Sequence, residues 1–124
     1  MGMKFRYARH TNNLALIEKF YTEIIGLKKL GEFENHSNYN GIFLGKPENN
    51  WHLEFTESNE PAIHTPDEDD LIVFYLDSQD EIDRMLKNAR QLNAPIVKPK
   101  NPYWQNHGTE LRDPDNYGVI LTIQ

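Results

Sequence analysis

Two helix signals about 65 residues apart, each entered from a strand-like segment and followed by more of them, constrain this 124-residue chain more than any other feature. In the first half, residues 5–11 are short and rich in aromatic and β-compatible side chains, so they read as a strand. Asn12 or Asn13 can cap a helix starting at the next residues. Leu14, Ile17, Phe20, Tyr21, Ile24 and Ile25 fall at helical spacing, and Gly26 stands where a helix commonly stops. Strands are then expected over 28–33, 39–44 and 51–56, with polar turn material at 34–38 and 45–50.

The second half repeats this organisation with little identity of letters. Residues 71–76 give the strongest strand signal. Ser78 with Glu81 three residues later is a capping box, and Ile82, Met85, Leu86 and Ala89 supply an apolar face for a helix closing near Leu92 and Asn93. A short strand is expected at Ile96 and Val97. Pro95, Pro99 and Pro102 predict a loop, and the last two strands are expected over 108–112 and 117–123 around a turn at 113–116. Between the halves, two prolines and the carboxylates of Glu57, Glu60, Asp67, Glu68, Asp69 and Asp70 read as a solvated linker without the spacing of a calcium loop.

A strand–helix–strand–strand–strand unit used twice implies an α+β fold. Two βαβββ modules, residues 4–57 and 71–124 around a linker at 58–70, would form a mixed, curved sheet with helices on the outer face, all within a single domain of residues 1–124. The competing layout is a ferredoxin-like fold, which has two strands between its helices where three are counted here. The chain carries no cysteine, which excludes a disulfide scaffold, thiolate metal ligation and a cysteine nucleophile. A net charge of −6 argues against a nucleic-acid partner. No apolar stretch approaches the roughly 20 residues of a membrane span, and no signal peptide is recognised, so a cytoplasmic protein is expected.

The helix pattern Leu14, Ile17, Phe20, Tyr21, Gly26 and Leu27, together with Arg112-Asp113-Pro114-Asp115-Asn116-Tyr117 leading into Gly118-Val119-Ile120, resembles the vicinal-oxygen-chelate superfamily. That superfamily includes glyoxalase I, bleomycin- and fosfomycin-resistance proteins and extradiol dioxygenases. The resemblance covers nearly the whole chain. It implies a homodimer whose paired units build a cup around a small molecule. In the superfamily's enzymes, it also implies a divalent metal held by four side chains, two per half.

Carried over one position at a time, those four ligands fall on Arg6, Glu54, Leu71 and Ile120. Only Glu54 keeps a donor: a guanidinium has no lone pair to give, and the two aliphatic side chains have none at all. The expectation is therefore no cofactor. The alternative is one divalent metal ion on a shifted set, His10, His52 and Glu54, since His10 lies an even number of residues from Arg6 and His52 from Glu54.

Arg6 and Glu54 are read either as an ion pair replacing the metal or as a ligand grip, with Arg6 holding an anion or carbonyl in fork geometry. Glu54 becomes a catalytic base only if the protein is an enzyme. His10, His52 and Tyr75 share the inward parity of their strands and are read as cup-lining or core residues. Tyr103, Trp104 and His107 stand in an otherwise polar stretch, where adjacent aromatics cover either a flat ligand or a dimer interface. Trp51, Phe43 and Tyr39 carry the same ambiguity. Arg84, Lys87, Arg90, Lys98 and Lys100 read as a solvated face. No nucleophile elbow, phosphate loop or dinucleotide fingerprint occurs. The expected function is small-molecule binding of the glyoxalase/bleomycin-resistance type without the metal. The alternative is a metal-dependent lyase, isomerase or dioxygenase resembling glyoxalase I.

Overall fold

The computed structural model describes residues 2–124 and divides into two compact units, the first ending at Ile63 and the second beginning at His64. The first unit runs β1 (Phe5–His10), α1 (Leu14–Lys19), a π-helical turn (Phe20–Ile24), β2 (Lys28–His36), β3 (Tyr39–Gly45) and β4 (Trp51–Glu57). Its sheet has the order β1-β4-β3-β2, with β1 and β4 parallel and the other neighbours antiparallel. The second unit runs β5 (Leu71–Leu76), α2 (Gln79–Gln91), β6 (Ile96–Val97), α3 (Pro102–His107), β7 (Thr109–Arg112) and β8 (Gly118–Ile123). Its sheet order is β5-β8-β7-β6, again closed by a parallel pair, β5 with β8. The expected βαβββ module is thus present twice, each time with a four-stranded mixed sheet, and the three-strand count excludes the ferredoxin-like layout.

Asn13, not Asn12, caps α1: its side chain accepts from the Leu16 amide at 3.0 Å. Asn12 instead brackets Ala62, donating to its carbonyl at 3.1 Å and accepting from its amide at 2.7 Å. The apolar stripe runs on past Lys19, but the backbone widens into a π turn there and ends at Gly26, whose φ of 83° suits a residue without Cβ. Ile17, Phe20, Tyr21 and Ile24 from this segment are buried, and Tyr21 stacks on Phe55 of β4 at 5.2 Å. Strand alternation then settles the two faces of this sheet. Ile42, Leu44, Leu53 and Phe55 form the buried side against the helix, leaving Arg6, Phe43, His52 and Glu54 on the other.

In the second unit Ser78 accepts from the Glu81 amide at 3.3 Å, as the capping box predicts. Ile82, Met85 and Ala89 are the buried residues of α2. Leu111, Val119, Ile120 and Leu121 are the most buried apolar residues of β7 and β8. The stretch after Pro99 differs from the loop expected. Asn101 accepts from the Tyr103 amide at 3.0 Å and Pro102 takes the first helical position, where its missing N–H costs nothing, so the prolines start α3 rather than prevent it. The turn before β8 is held by Asp113, whose Oδ1 accepts from the amides of Asp115 at 2.9 Å and Tyr117 at 3.1 Å. Asn116 occupies its left-handed position at φ 70°. In the linker, Asp67 and Asp70 spend their carboxylates on backbone amides. Among the described residues no helix is long and apolar enough to cross a membrane.

Candidate functional site

Register brings Arg6 beside His52 across the parallel β1–β4 pair, and Phe43 beside Glu54 across β3–β4. The Arg6 guanidinium then binds two of these neighbours. Its Nε donates to His52 Nε2 at 3.0 Å and its Nη1 to Glu54 Oε1 at 3.2 Å, while its central carbon lies 5.2 Å from the centre of the Phe43 ring. The His52 ring meets Phe43 edge-on at 5.6 Å, and Phe33 adjoins Phe43 at 5.9 Å. The Phe33 ring lies over Gly41, where a Cβ would come within 2.3 Å of it. The helix-free face of the first unit is therefore an aromatic strip with one guanidinium bridging two acceptors.

The protonation states are dictated by the geometry. A guanidinium only donates, so His52 must present a lone pair at Nε2 and carry its proton on Nδ1. Burial, helped by the positive charges of Arg6 and Lys4, holds the His52 pKa below the usual histidine value, which keeps that acceptor available at neutral pH. Half of the Arg6 side chain is exposed while Glu54 keeps only 14%. Two of its five N–H groups are used, which leaves the rest facing outward without a partner among the described residues.

His10 does not join this group. It lies four strand positions beyond Arg6, roughly 13 Å along β1. There Nδ1 is 2.8 Å from Thr56 Oγ1 and Nε2 is 3.1 Å from Ser58 Oγ, with Tyr39 5.4 Å away ring to ring. The shifted ligand set of His10, His52 and Glu54 is thus corrected: parity puts the three on one face, but strand rise separates His10 from His52 beyond the reach of one ion. His52 meanwhile gives its Nε2 lone pair to Arg6, and Glu54 Oε1 is paired with the same guanidinium. Leu71 and Ile120, at the other two carried-over positions, are hydrocarbon, and no cluster of three metal-binding side chains occurs among the described residues. The residues present do not fit the divalent metal of the superfamily's enzymes.

Four other expected residues meet in the second unit. Tyr75 of β5 and Tyr103, Trp104 and His107 of α3 line an open cleft of about 480 Å³, a size suited to a small molecule. Thr122 ties α3 to β8 by donating from Oγ1 to the His107 carbonyl. The Gln105 amide nitrogen donates to the Pro99 carbonyl at 2.8 Å, fixing the entry to α3.

A buried carboxylate in the second unit is not expected from sequence. Glu110 of β7, which reads only as part of a strand, is fully buried. Its Oε2 forms an ion pair with Arg112 Nη2 at 2.8 Å, and neither Oε1 nor Oε2 has a hydrogen-bond partner among the described residues. A Cβ at Gly118 would sit 2.6 Å from Oε2, so the glycine makes the room that the carboxylate fills. Burial pushes the Glu110 pKa up; Arg112 opposes this, and Asp69 and Glu68 add to it. The spacing Glu110-x-Arg112 is the available signal, since i and i+2 on a strand share a face.

Family models describe both halves. A YycE-like N-terminal domain matches residues 5–56 and a YycE-like C-terminal domain matches residues 69–122. The uncharacterized protein YycE of Bacillus subtilis strain 168 is 35% identical over 122 residues, covering 95% of this chain and 86% of its own. A crystal structure of a YycE protein of unknown function from Bacillus subtilis aligns with a TM-score of 0.90 at 34% identity, over 98% of this chain and 89% of that one. Glyoxalase I of Leishmania major shares the fold at a TM-score of 0.76 and 22% identity, over 99% and 87%. The fosfomycin resistance protein FosX of Mesorhizobium loti does so at 0.73 and 14%, over 99% and 91%.

Proposed function

We propose that this chain, which belongs to the YycE-like family within the vicinal-oxygen-chelate superfamily, binds a small molecule without that superfamily's metal. The observation that carries the reading is the guanidinium of Arg6 seated on His52 Nε2 and Glu54 Oε1. The resemblance sets this fixed positive charge at a position that is a metal ligand in the superfamily's enzymes. Its outward N–H groups suit a carboxylate, phosphonate or carbonyl oxygen, and the Phe43 ring beside it suits an apolar body. Glu54 is already engaged by Arg6 and serves here to orient the guanidinium rather than as a base. The reading includes a homodimer, the arrangement in which such proteins commonly hold their ligands, and a cytoplasmic location.

The test is thermal unfolding in the presence of a chelator, with propylphosphonate and benzoate as probes. The melting temperature is expected to be indifferent to chelator, to rise with at least one probe, and to lose that rise in Arg6→Met. Dialysis against nickel, zinc, manganese and iron(II) is expected to leave no stoichiometric metal. About one tightly held ion per chain, or no response to either probe, overturns the reading.

A further inference from the structure

The cleft of the second unit is notable for what does not line it. Among the described residues, no aspartate, glutamate, lysine or arginine contributes to its wall, although 26% of the chain is charged. An occupant with a net charge would leave water here without a counter-ion, whereas an uncharged ring would not suffer that loss. The wall is aromatic and neutral-polar instead, with Gln79, Asn106, Thr109 and Thr122 beside the rings. Tyr103 and His107 stack at 4.2 Å with their planes 19° apart, and Trp104 stands edge-on to Tyr103 at 4.8 Å. Tyr75 and Tyr103 are each more than half exposed, so ring surface is open to a flat ligand.

Two polar groups refine the class. His107 Nδ1 lies 2.7 Å from the Tyr103 carbonyl, which can only accept, so Nδ1 carries a proton and Nε2 is the ring nitrogen left to act as an acceptor. Tyr75, which lines the same cleft, carries a hydroxyl that can donate. We propose that this cleft is a binding site for an uncharged, flat heteroaromatic compound with an N–H next to a carbonyl, a lactam edge. The rings stack on it, His107 accepts its N–H and Tyr75 donates to its carbonyl. The proposal goes beyond the reading above: it is a second site on the other unit, and Arg6 plays no part in it.

The experiment is calorimetric titration of the full chain with 2-quinolone, beside quinoline-2-carboxylate and N-methylquinolinium as anionic and cationic counterparts. Saturable binding of 2-quinolone is expected, weaker by about tenfold or more for both charged rings because neither offers an N–H beside a carbonyl. His107→Phe, which keeps the stack and removes the acceptor, is expected to weaken 2-quinolone binding about fivefold or more. Arg6→Met is expected to leave it unchanged while abolishing the phosphonate or benzoate response, which separates this site from the first unit's. Absence of saturable 2-quinolone binding, equal binding of the charged rings, or an unaffected His107→Phe overturns the proposal. So does a halved solution mass in Trp104→Ala, which would assign the cleft to a second copy of the chain.

Discussion

Both units hold an arginine–glutamate pair on their sheets, and the two pairs live in opposite surroundings. Arg6 and Glu54 reach each other across neighbouring strands, with half the arginine in water and His52 sharing its charge. Glu110 and Arg112 sit two residues apart on β7, the carboxylate wholly buried and the guanidinium 12% exposed. The first pair leaves donors facing outward. The second is closed, with Gly118 kept small beside it and neither carboxylate oxygen hydrogen-bonded among the described residues. Identical chemistry thus keeps donors available when it is open and encloses them when it is closed, and the dielectric around each charge sets what its partner is worth.

Removing the closed partner should have the largest effect. Glu110→Ala removes the ion-pair partner of the largely buried Arg112 and leaves it to its bond with the Asn116 carbonyl, and is expected to cost about 3 kcal/mol in urea unfolding. A loss within about 1 kcal/mol would show that the second pair behaves like a surface bridge and would dissolve the contrast. A smaller effect is expected from pH. The raised pKa of Glu110 means that the folded state holds its proton more tightly than the unfolded chain does. Its contribution is therefore complete below the ordinary glutamate value and is lost as pH rises through the raised one. Glu110→Gln should flatten that part of the profile of unfolding midpoint against pH; an unchanged slope would place the titration elsewhere. The smallest change is expected for Arg6→Met, under about 1 kcal/mol, since the pair it breaks is half solvated. Loss of the probe response with stability intact would sharpen the assignment of Arg6 to binding, whereas a large destabilisation would make its pair structural.

Most of the fold is legible in the sequence because periodicity and capping act locally. Ser78 with Glu81 places the start of α2, and alternation places Arg6, His52 and Glu54 on one face. The π turn at Phe20–Ile24 leaves no mark, since its buried residues obey the same spacing as an α-helix. α3 escapes when prolines are weighed only as breakers, although Asn101 followed by Pro102 is also a helix start. The site is legible as to residue and only partly as to place. Parity cannot measure distance along a strand, so it groups His10 with His52. Nor does a strand's sequence reveal that one carboxylate will be buried, and Glu110 needs the neighbouring Gly118 to expose its role.

The parallel pair that closes each sheet also shapes how the chain reaches its fold. Phe5 pairs with Trp51, and Leu71 with Gly118, so in both units the first strand waits for the last before it has a neighbour. Such long-range closure is the slow part of folding, because the entropy of looping is lost before the contacts repay it. Every strand partner of the first unit lies before Ile63, and every one of the second lies after His64. A ribosome emitting this chain therefore releases every strand partner of the first sheet before any strand of the second.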